Sequence, residues 1–220
     1  MQLRELLAAL EREPDPPTTA RRPEQALDTH VADALSALEL EDVACARRIA
    51  DLGSGAGFPG LVLAVALPGA HVDLIESQSR KTAVSDRLLQ AAKLSNARSV
   101  AARAEDWATR PPPLGGRGAY DLVTARALAP LAVLAEYASP LLEEGGALVT
   151  WKGARDQVEE RELAAAAGPL AMRPAEIRRV QPFAGARNRH LHLLRKSGPT
   201  PEGLPRRAGM ARKRAFRPGS

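Results

Sequence analysis

The chain predicts an α/β fold, a mostly parallel sheet with an antiparallel hairpin at its C-terminal edge. Three observations carry this. Short apolar segments that read as strands alternate with helical stretches through the middle of the 220 residues, the order expected of βαβ units. A glycine-rich turn, Gly53 to Gly60, stands between the first strand and the helix after it. The last two strand candidates, 176–182 and 190–195, are joined by a loop too short for a parallel crossover.

The elements follow in order. Leu3, Leu6, Leu7 and Leu10 share one face of a helix over 3–12, which the prolines at 14, 16 and 17 stop. A second helix spans 23 to about 40, with Leu27, Val31, Ala34, Leu35 and Leu38 in register. The strand 48–52 opens into the glycine turn, and a helix follows from about 59 to 66. A strand over 71–75 ends on Glu76, then come a helix over about 79–94 and a short strand over 99–102. Proline and glycine make 110–118 a loop. Beyond it lie a strand over 120–125, a helix over 130–142, a strand over 147–151 and a helix over 156–167. The expected division is 1–45 as helices packed on the core, 46–198 as the α/β domain and 199–220 as a basic tail.

Composition narrows the function classes. Hydrophobic residues at 45% and charged residues at 26% are globular values. With 3% aromatics, a stacking platform for single-stranded nucleic acid is not expected. The longest apolar run, 61–67, is far too short to span a membrane, and no signal-peptide core opens the chain, so a cytoplasmic protein is expected. No Cys/His cluster has metal-ligand spacing, so no metal is expected, and the single Cys45 reads as a buried structural residue. The net charge of +5 is uneven. From Arg187 onward ten Lys/Arg stand against Glu202 alone, leaving the first 186 residues with more acidic than basic side chains. Such a tail is either a phosphate-binding arm or a solvated terminus.

The strongest local signal is Asp51-Leu-Gly53-Ser-Gly55-Ala-Gly57-Phe58-Pro-Gly60. Two ligand classes compete for it. Gly55, Gly57 and Gly60 satisfy G-x-G-x-x-G, with Glu76 at the distance a nicotinamide or flavin nucleotide fold requires. Asp51-x-Gly53-x-Gly55-x-Gly57 is instead the pattern of S-adenosylmethionine (AdoMet) methyltransferases. Asp51 favours AdoMet, because an anion at the strand end attracts a methionine amino group and repels a pyrophosphate. Glu76 can accept ribose hydroxyls in either case, and a purely structural glycine turn is the third reading. Absences narrow the chemistry. No Asn/Asp-Pro-Pro-Tyr motif for amino groups follows the fourth strand, and Cys45 lies before the loop, not where a pyrimidine nucleophile belongs. What remains is an acceptor that is already nucleophilic, such as guanine N7, which needs orientation and no general base.

These residues resemble the small-subunit ribosomal RNA methyltransferase G (glucose-inhibited division B) family. The resemblance runs from about 18 to 216, through Thr18-Thr-Ala, His30-Val-Ala-Asp33, the glycine loop with Phe-Pro-Gly, Glu76-Ser, Arg80-Lys81, Arg103-Ala-Glu-Asp, Thr124-Ala-Arg126-Ala, Trp151-Lys152-Gly153 and Arg206-Arg-Ala-Gly-Met. It implies a Rossmann-like class I AdoMet-dependent methyltransferase that modifies guanine N7 of 16S rRNA, at nucleotide 527 of the 530 loop. The partner would be 16S rRNA or the 30S subunit, met by a monomer. The site expected with AdoMet is Asp51, Gly53, Gly55, Gly57, Phe58, Glu76, Ala104, Glu105 and Arg126, with Arg126 positioning the reactants. Lys152 and Arg189, which follow strands, and Arg206, Arg207, Arg212 and Lys213 in the tail are expected to face RNA. His30 and Asp33, three residues apart on one helix, either help close the cofactor pocket or make a helix-surface hydrogen bond. Ala34, Ala208 and Ala211 depart from the family's usual serine and prolines. A methyltransferase for a protein or small molecule, and a non-catalytic RNA-binding factor, are the rival readings.

Overall fold

The alternation expected from the sequence is present in the computed structural model, which describes residues 1–20 and 22–217. Helices α1 (Gln2–Arg12), α2 (Pro23–Ala26), α3 (Asp33–Leu35) and α4 (Glu41–Ala44) precede strand β1 (Arg48–Leu52). Then come α5 (Gly60–Ala66), β2 (His71–Glu76), α6 (Ser79–Ala92), β3 (Ala97–Ala101), α7 (Ala104–Trp107) and β4 (Tyr120–Arg126). The chain continues through α8 (Leu131–Ala138), β5 (Leu142–Lys152), α9 (Gln157–Ala167), β6 (Met172–Val180) and β7 (Arg189–Lys196). All seven strands form one sheet in the order β3-β2-β1-β4-β5-β7-β6. β1 to β5 are parallel, and β7 runs antiparallel to both β5 and β6. The expected hairpin is there, with β7 inserted beside β5 and β6 left at the edge.

Both faces of the sheet are covered, so its central strands read as apolar runs and not as alternations. Ile49, Leu74, Leu122 and Val149 pack under α1, α5 and α6, against Leu6, Leu10, Leu61 and Leu88. Their neighbours Ala50, Leu52, Val123 and Leu148 pack on the other face against Leu131, Leu134 and Leu163. Among the described residues no helix is long and apolar enough to cross a membrane.

Three expectations need correction. The helix over 23–40 is not continuous: a π-helical turn (Leu27–Ala32) interrupts it, and a 3₁₀ turn (Ser36–Glu39) ends it. Side chains, two of them from distant strands and one from the segment itself, take its carbonyls. Arg126 donates to Thr29 O at 2.8 Å, and Trp151 Nε1 and Ser36 Oγ donate to Asp33 O at 2.8 and 2.7 Å. An α-helical ladder gives way where outside donors compete for its acceptors. Cys45 is exposed, not buried, because it caps α4 on the surface.

The basic C-terminal segment is neither a free arm nor a solvated terminus. Leu204, Ala211 and Phe216 are buried in the same core as α8. Arg206 forms a two-pronged pair with Glu136, both bonds 2.6 Å long, and lies over the Phe216 ring. The buried Lys196 ammonium, pushed down to about 8 by burial, donates to Ser139 O, Leu142 O and Thr200 Oγ1. That satisfies its three donors and ties the start of the segment to the end of α8. Arg206 is therefore an internal strut, which corrects its expected role as an RNA ligand. Charge counting missed this because it does not register apolar residues spaced between the cations.

The glycine turn is fixed from two sides. Asp51 is fully buried at the end of β1; its Oδ2 accepts from Gly60 N at 3.0 Å and its Oδ1 from Thr124 Oγ1 at 2.9 Å. A Cβ on Gly60 would stand 2.3 Å from Leu74 Cδ2 and 2.9 Å from Asp51 Oδ2, so only glycine lets α5 approach this closely. Phe58 stacks on His30 with ring centroids 4.4 Å apart, joining the turn to the N-terminal helices. Burial pushes the Asp51 carboxyl up to about 6, and burial with the nearby Arg126 pushes His30 down to about 4.

These two shifts act on stability with opposite sign. Folded Asp51 keeps its proton up to about pH 6, whereas the unfolded chain releases it near 4. Its contribution is therefore full below pH 4 and is lost as pH rises through 6, a change of about 3 kcal/mol in the ligand-free protein. His30 costs stability as pH falls below 6.5, so the wild-type profile stays shallow. Asp51→Asn can keep both hydrogen bonds, its oxygen accepting from Gly60 and its amide donating to Thr124. Urea unfolding is expected to show this variant gaining on wild type by up to about 3 kcal/mol between pH 4 and pH 8. A pH-independent difference would show that Asp51 ionises freely.

Candidate functional site

Two cavities open at the C-terminal ends of β1, β2, β4 and β5, the position at which open α/β sheets bind ligands. The first, of about 360 Å³, is lined by Gly53, Glu76, Ala104, Glu105, Leu128 and Arg212 among others. The backbone N–H groups of Gly53 and Ser54 donate to Ile75 O at 2.8 and 3.3 Å, which turns the loop across the end of β2. Glu76 then accepts from Gly55 N at 3.2 Å and Gln78 N at 2.8 Å. Each carboxylate oxygen accepts more than one bond, so this fixed anion can also take vicinal hydroxyls. Gly53, at φ +62°, has Leu128 against it, and a Cβ there would lie 2.6 Å from Leu128 Cδ1.

The second cavity, of about 390 Å³, adjoins the first, and Ala127 lines both. Ala127 has φ +54°, a left-handed conformation that costs an alanine energy and is found where a site demands it. The wall is held by Arg126, which donates from NH1 to Thr29 O at 2.8 Å and Asp33 Oδ2 at 3.1 Å, and from NH2 to His30 Nδ1 at 2.9 Å. A guanidinium cannot accept, so His30 Nδ1 is the acceptor and its Nε2–H donates to Thr18 Oγ1 at 2.9 Å. Trp151, Lys152, Arg189 and His190 complete the lining, with Lys152 Nζ 2.5 Å from Glu159 Oε1.

The structure sorts the residues singled out from the sequence. Gly53, Glu76, Ala104 and Glu105 line the first cavity. Asp51, Gly55, Gly57 and Phe58 stand behind it: Asp51 holds Gly60, Gly55 donates to Glu76, Gly57 packs on Leu61 and Phe58 on His30. Asp51 therefore shapes the loop and does not face a ligand amino group, which corrects the role expected of it. Glu105 accepts from Gly209 N at 2.7 Å, so its carboxylate also anchors the C-terminal segment. Arg126, Lys152 and Arg189 meet at the second cavity. Arg212, expected on RNA, lines the first cavity and donates to Leu128 O at 2.7 Å, while Arg207 and Lys213 are exposed. Ala127 stood in the quoted Thr124-Ala-Arg126-Ala segment without being given a role, and sequence reasoning missed Thr29, Leu128 and Tyr137, which nothing local marks. Among the described residues no three His, Cys, Asp or Glu side chains are placed to hold a metal ion.

Comparison with known proteins agrees with this geometry. A family model described as rRNA small subunit methyltransferase G matches residues 17–191. Ribosomal RNA small subunit methyltransferase G of Desulfitobacterium hafniense is 38% identical over 195 residues, covering 87% of this chain and 78% of that one. Its counterpart in Rubrobacter xylanophilus is 40% identical over 202 residues, covering 90% and 76%. Among solved structures, a predicted O-methyltransferase from Agrobacterium tumefaciens superimposes with a TM-score of 0.57 at 25% identity, over 76% of this chain and 81% of that one. Aeropyrum pernix fibrillarin with bound AdoMet does so with a TM-score of 0.57 at 18% identity, over 74% and 72%. The fold is that of the class I AdoMet-dependent methyltransferases. With the match running from Thr18 and His30, through the glycine loop and Arg126, as far as the Arg189 wall, the chain belongs to the rRNA small subunit methyltransferase G family.

Proposed function

We propose that this protein transfers a methyl group from AdoMet to N7 of a guanine in 16S rRNA, at nucleotide 527 of the 530 loop as the family resemblance implies. The observation that carries the reading is the pair of cavities meeting at Ala127, one with a fixed carboxylate for a ribose and the other lined by Arg and Lys. AdoMet fits the first. Gly53 lines it at φ +62° and lets Leu128 close against the turn, Glu76 offers acceptors for the ribose hydroxyls, and Ala104 and Glu105 border the side where adenine would lie. AdoMet supplies an electrophilic methyl group carried on a sulfonium. Guanine N7 has an available lone pair, so the protein must orient it and need not remove a proton. The cavity wall agrees with that, because both His30 ring nitrogens are already hydrogen-bonded. The family resemblance implies that the acceptor is 16S rRNA or the 30S subunit, met by a monomer.

Arg126 acts in this reading as a positioning residue. Its NH1 and NH2 groups hold the segment from Thr29 to Asp33 against the ends of β4 and β5. Arg126→Ala is expected to lower kcat for methylation roughly 100-fold through loosened acceptor geometry, with AdoMet affinity changed only a few-fold. Radiolabelled methyl transfer to 30S subunits and to naked 16S rRNA tests both the assignment and this role. Absence of label in either RNA would overturn the assignment; near-wild-type turnover by a folded Arg126→Ala would remove the role.

The exposed cations of the C-terminal segment are separable from the cofactor side. Combining Arg207→Ala, Lys213→Ala and Arg214→Ala, all at exposed positions, is expected to weaken RNA binding. It should also flatten the log–log salt dependence by roughly 2 units. Calorimetry should find AdoMet affinity unchanged. An unaltered salt slope would place the RNA on another face.

A further inference from the structure

Among the described residues that line the first cavity, Glu76 and Glu105 are carboxylates, and Lys81, Arg103 and Arg212 are cations. Backbone amides fix both carboxylates, Gly55 and Gln78 on Glu76 and Gly209 on Glu105. The cations stand on two sides. Lys81 lies in the first turn of α6 and Arg103 directly precedes α7, so both belong to the side of β2 and β3. Arg212 comes from the C-terminal segment and donates from NH2 to Leu128 O at 2.7 Å, two residues beyond the end of β4. Leu128 packs against Gly53, and its neighbour Ala127 lines both cavities. Arg212 is exposed, and Leu128 O takes one of the five N–H donors that its guanidinium carries.

We infer that Arg212 binds the carboxylate of the methionine arm of AdoMet. This rests on the reading that AdoMet occupies the first cavity. The carboxylate is the one anionic group of that molecule, beside a cationic sulfonium and a cationic ammonium. The methyl group rides on the sulfonium, so the sulfur belongs near Ala127, where the two cavities meet. The ribose and the methionine arm both start from that sulfur. With the ribose at Glu76 and adenine beside Ala104 and Glu105, the adenosyl part fills the side of β2 and β3, where Lys81 and Arg103 stand. The methionine arm is left the β4 side, where Leu128 and Arg212 stand. Arg126 is committed elsewhere: it lines the second cavity, and Thr29, Asp33 and His30 take its NH1 and NH2 groups. A guanidinium grips a carboxylate through two parallel bonds, and holding the far end of the arm restrains the direction of the S–CH3 bond. The basic C-terminal segment thereby contributes a binding group to the cofactor cavity.

Calorimetry on the free full-length protein tests this with S-adenosylhomocysteine and its decarboxylated analogue, which keeps the adenine, the ribose and the amino group. Wild type is expected to bind S-adenosylhomocysteine roughly 10- to 100-fold more tightly than the analogue. Arg212→Ala should bring that ratio close to one, and Arg212→Lys, which keeps a charge at the position, should retain part of it. 5′-Methylthioadenosine lacks the methionine arm, so wild type and Arg212→Ala should bind it within a few-fold of each other, which shows that the variant is folded and its cavity intact. If Arg212 only braced Leu128, Arg212→Ala would weaken all three ligands alike and leave the ratio unchanged, and that result would overturn the inference. Lys81→Ala and Arg103→Ala should preserve the ratio; its loss in either would put the carboxylate on the β2 and β3 side and overturn the inference equally. Equal wild-type affinity for S-adenosylhomocysteine and the analogue would do the same. A wild-type protein that binds none of the three compounds would refute the placement of AdoMet itself.

Discussion

The site depends first on a buried carboxylate. Asp51, at the end of β1, accepts from the Gly60 amide that begins α5 and from Thr124 on β4. β1 and β4 are neighbours in the sheet but far apart in sequence, and between them the strand order reverses direction. At that reversal the loops after the strands diverge and leave a crevice. One side chain thus joins the strand before the crevice, the helix after the glycine turn and the strand that carries Arg126. Two donors offset most of the cost of burying it. The remainder is visible in a carboxyl that holds its proton up to about pH 6.

From that junction the crevice is completed by parts of the chain outside the α/β layers. The N-terminal region supplies His30 and Asp33, which Arg126 and Trp151 hold in place through the carbonyls of Thr29 and Asp33. The C-terminal segment supplies Arg212 and the Gly209 amide, which meet Leu128 and Glu105 on the cofactor side. Each cavity therefore has one wall from the central domain and one from a terminal region. The boundaries near 45 and 198 mark changes of composition, while the chemistry lies across them.

What the sequence revealed follows from which interactions are local. Strand and helix periodicities and the spacing of Asp51, Gly53, Gly55 and Gly57 are short-range patterns, and the sheet and the turn emerged from them. The π-helical turn was hidden because its cause, donors on β4 and β5, lies about a hundred residues away. The burial of Arg206 was hidden likewise, since its partner Glu136 sits on α8. Asp51 was legible as important but not in its role. The same residue type at a strand end either faces a ligand or anchors a helix, and only the fold decides which.

The distribution of charge then has a chemical logic. In the proposed reaction a neutral guanine becomes a cationic 7-methylguanine, and a densely positive cavity would oppose that change. The acceptor cavity does not present bare cations. Arg126 is paired with Asp33, Lys152 with Glu159, and Arg189 stands 4.0 Å from Asp33, so three cations face two carboxylates. The lining orients polar groups while adding little repulsion as positive charge develops on the base. Unpaired positive charge is placed elsewhere, at exposed positions such as Arg207 and Lys213, where phosphates can approach it. The basic excess of the last 34 residues therefore divides by function. Lys196 and Arg206 hold the segment down, Arg195 pairs with Asp42, Arg212 and Arg189 line the two cavities, and Arg207, Lys213 and Arg214 stand exposed.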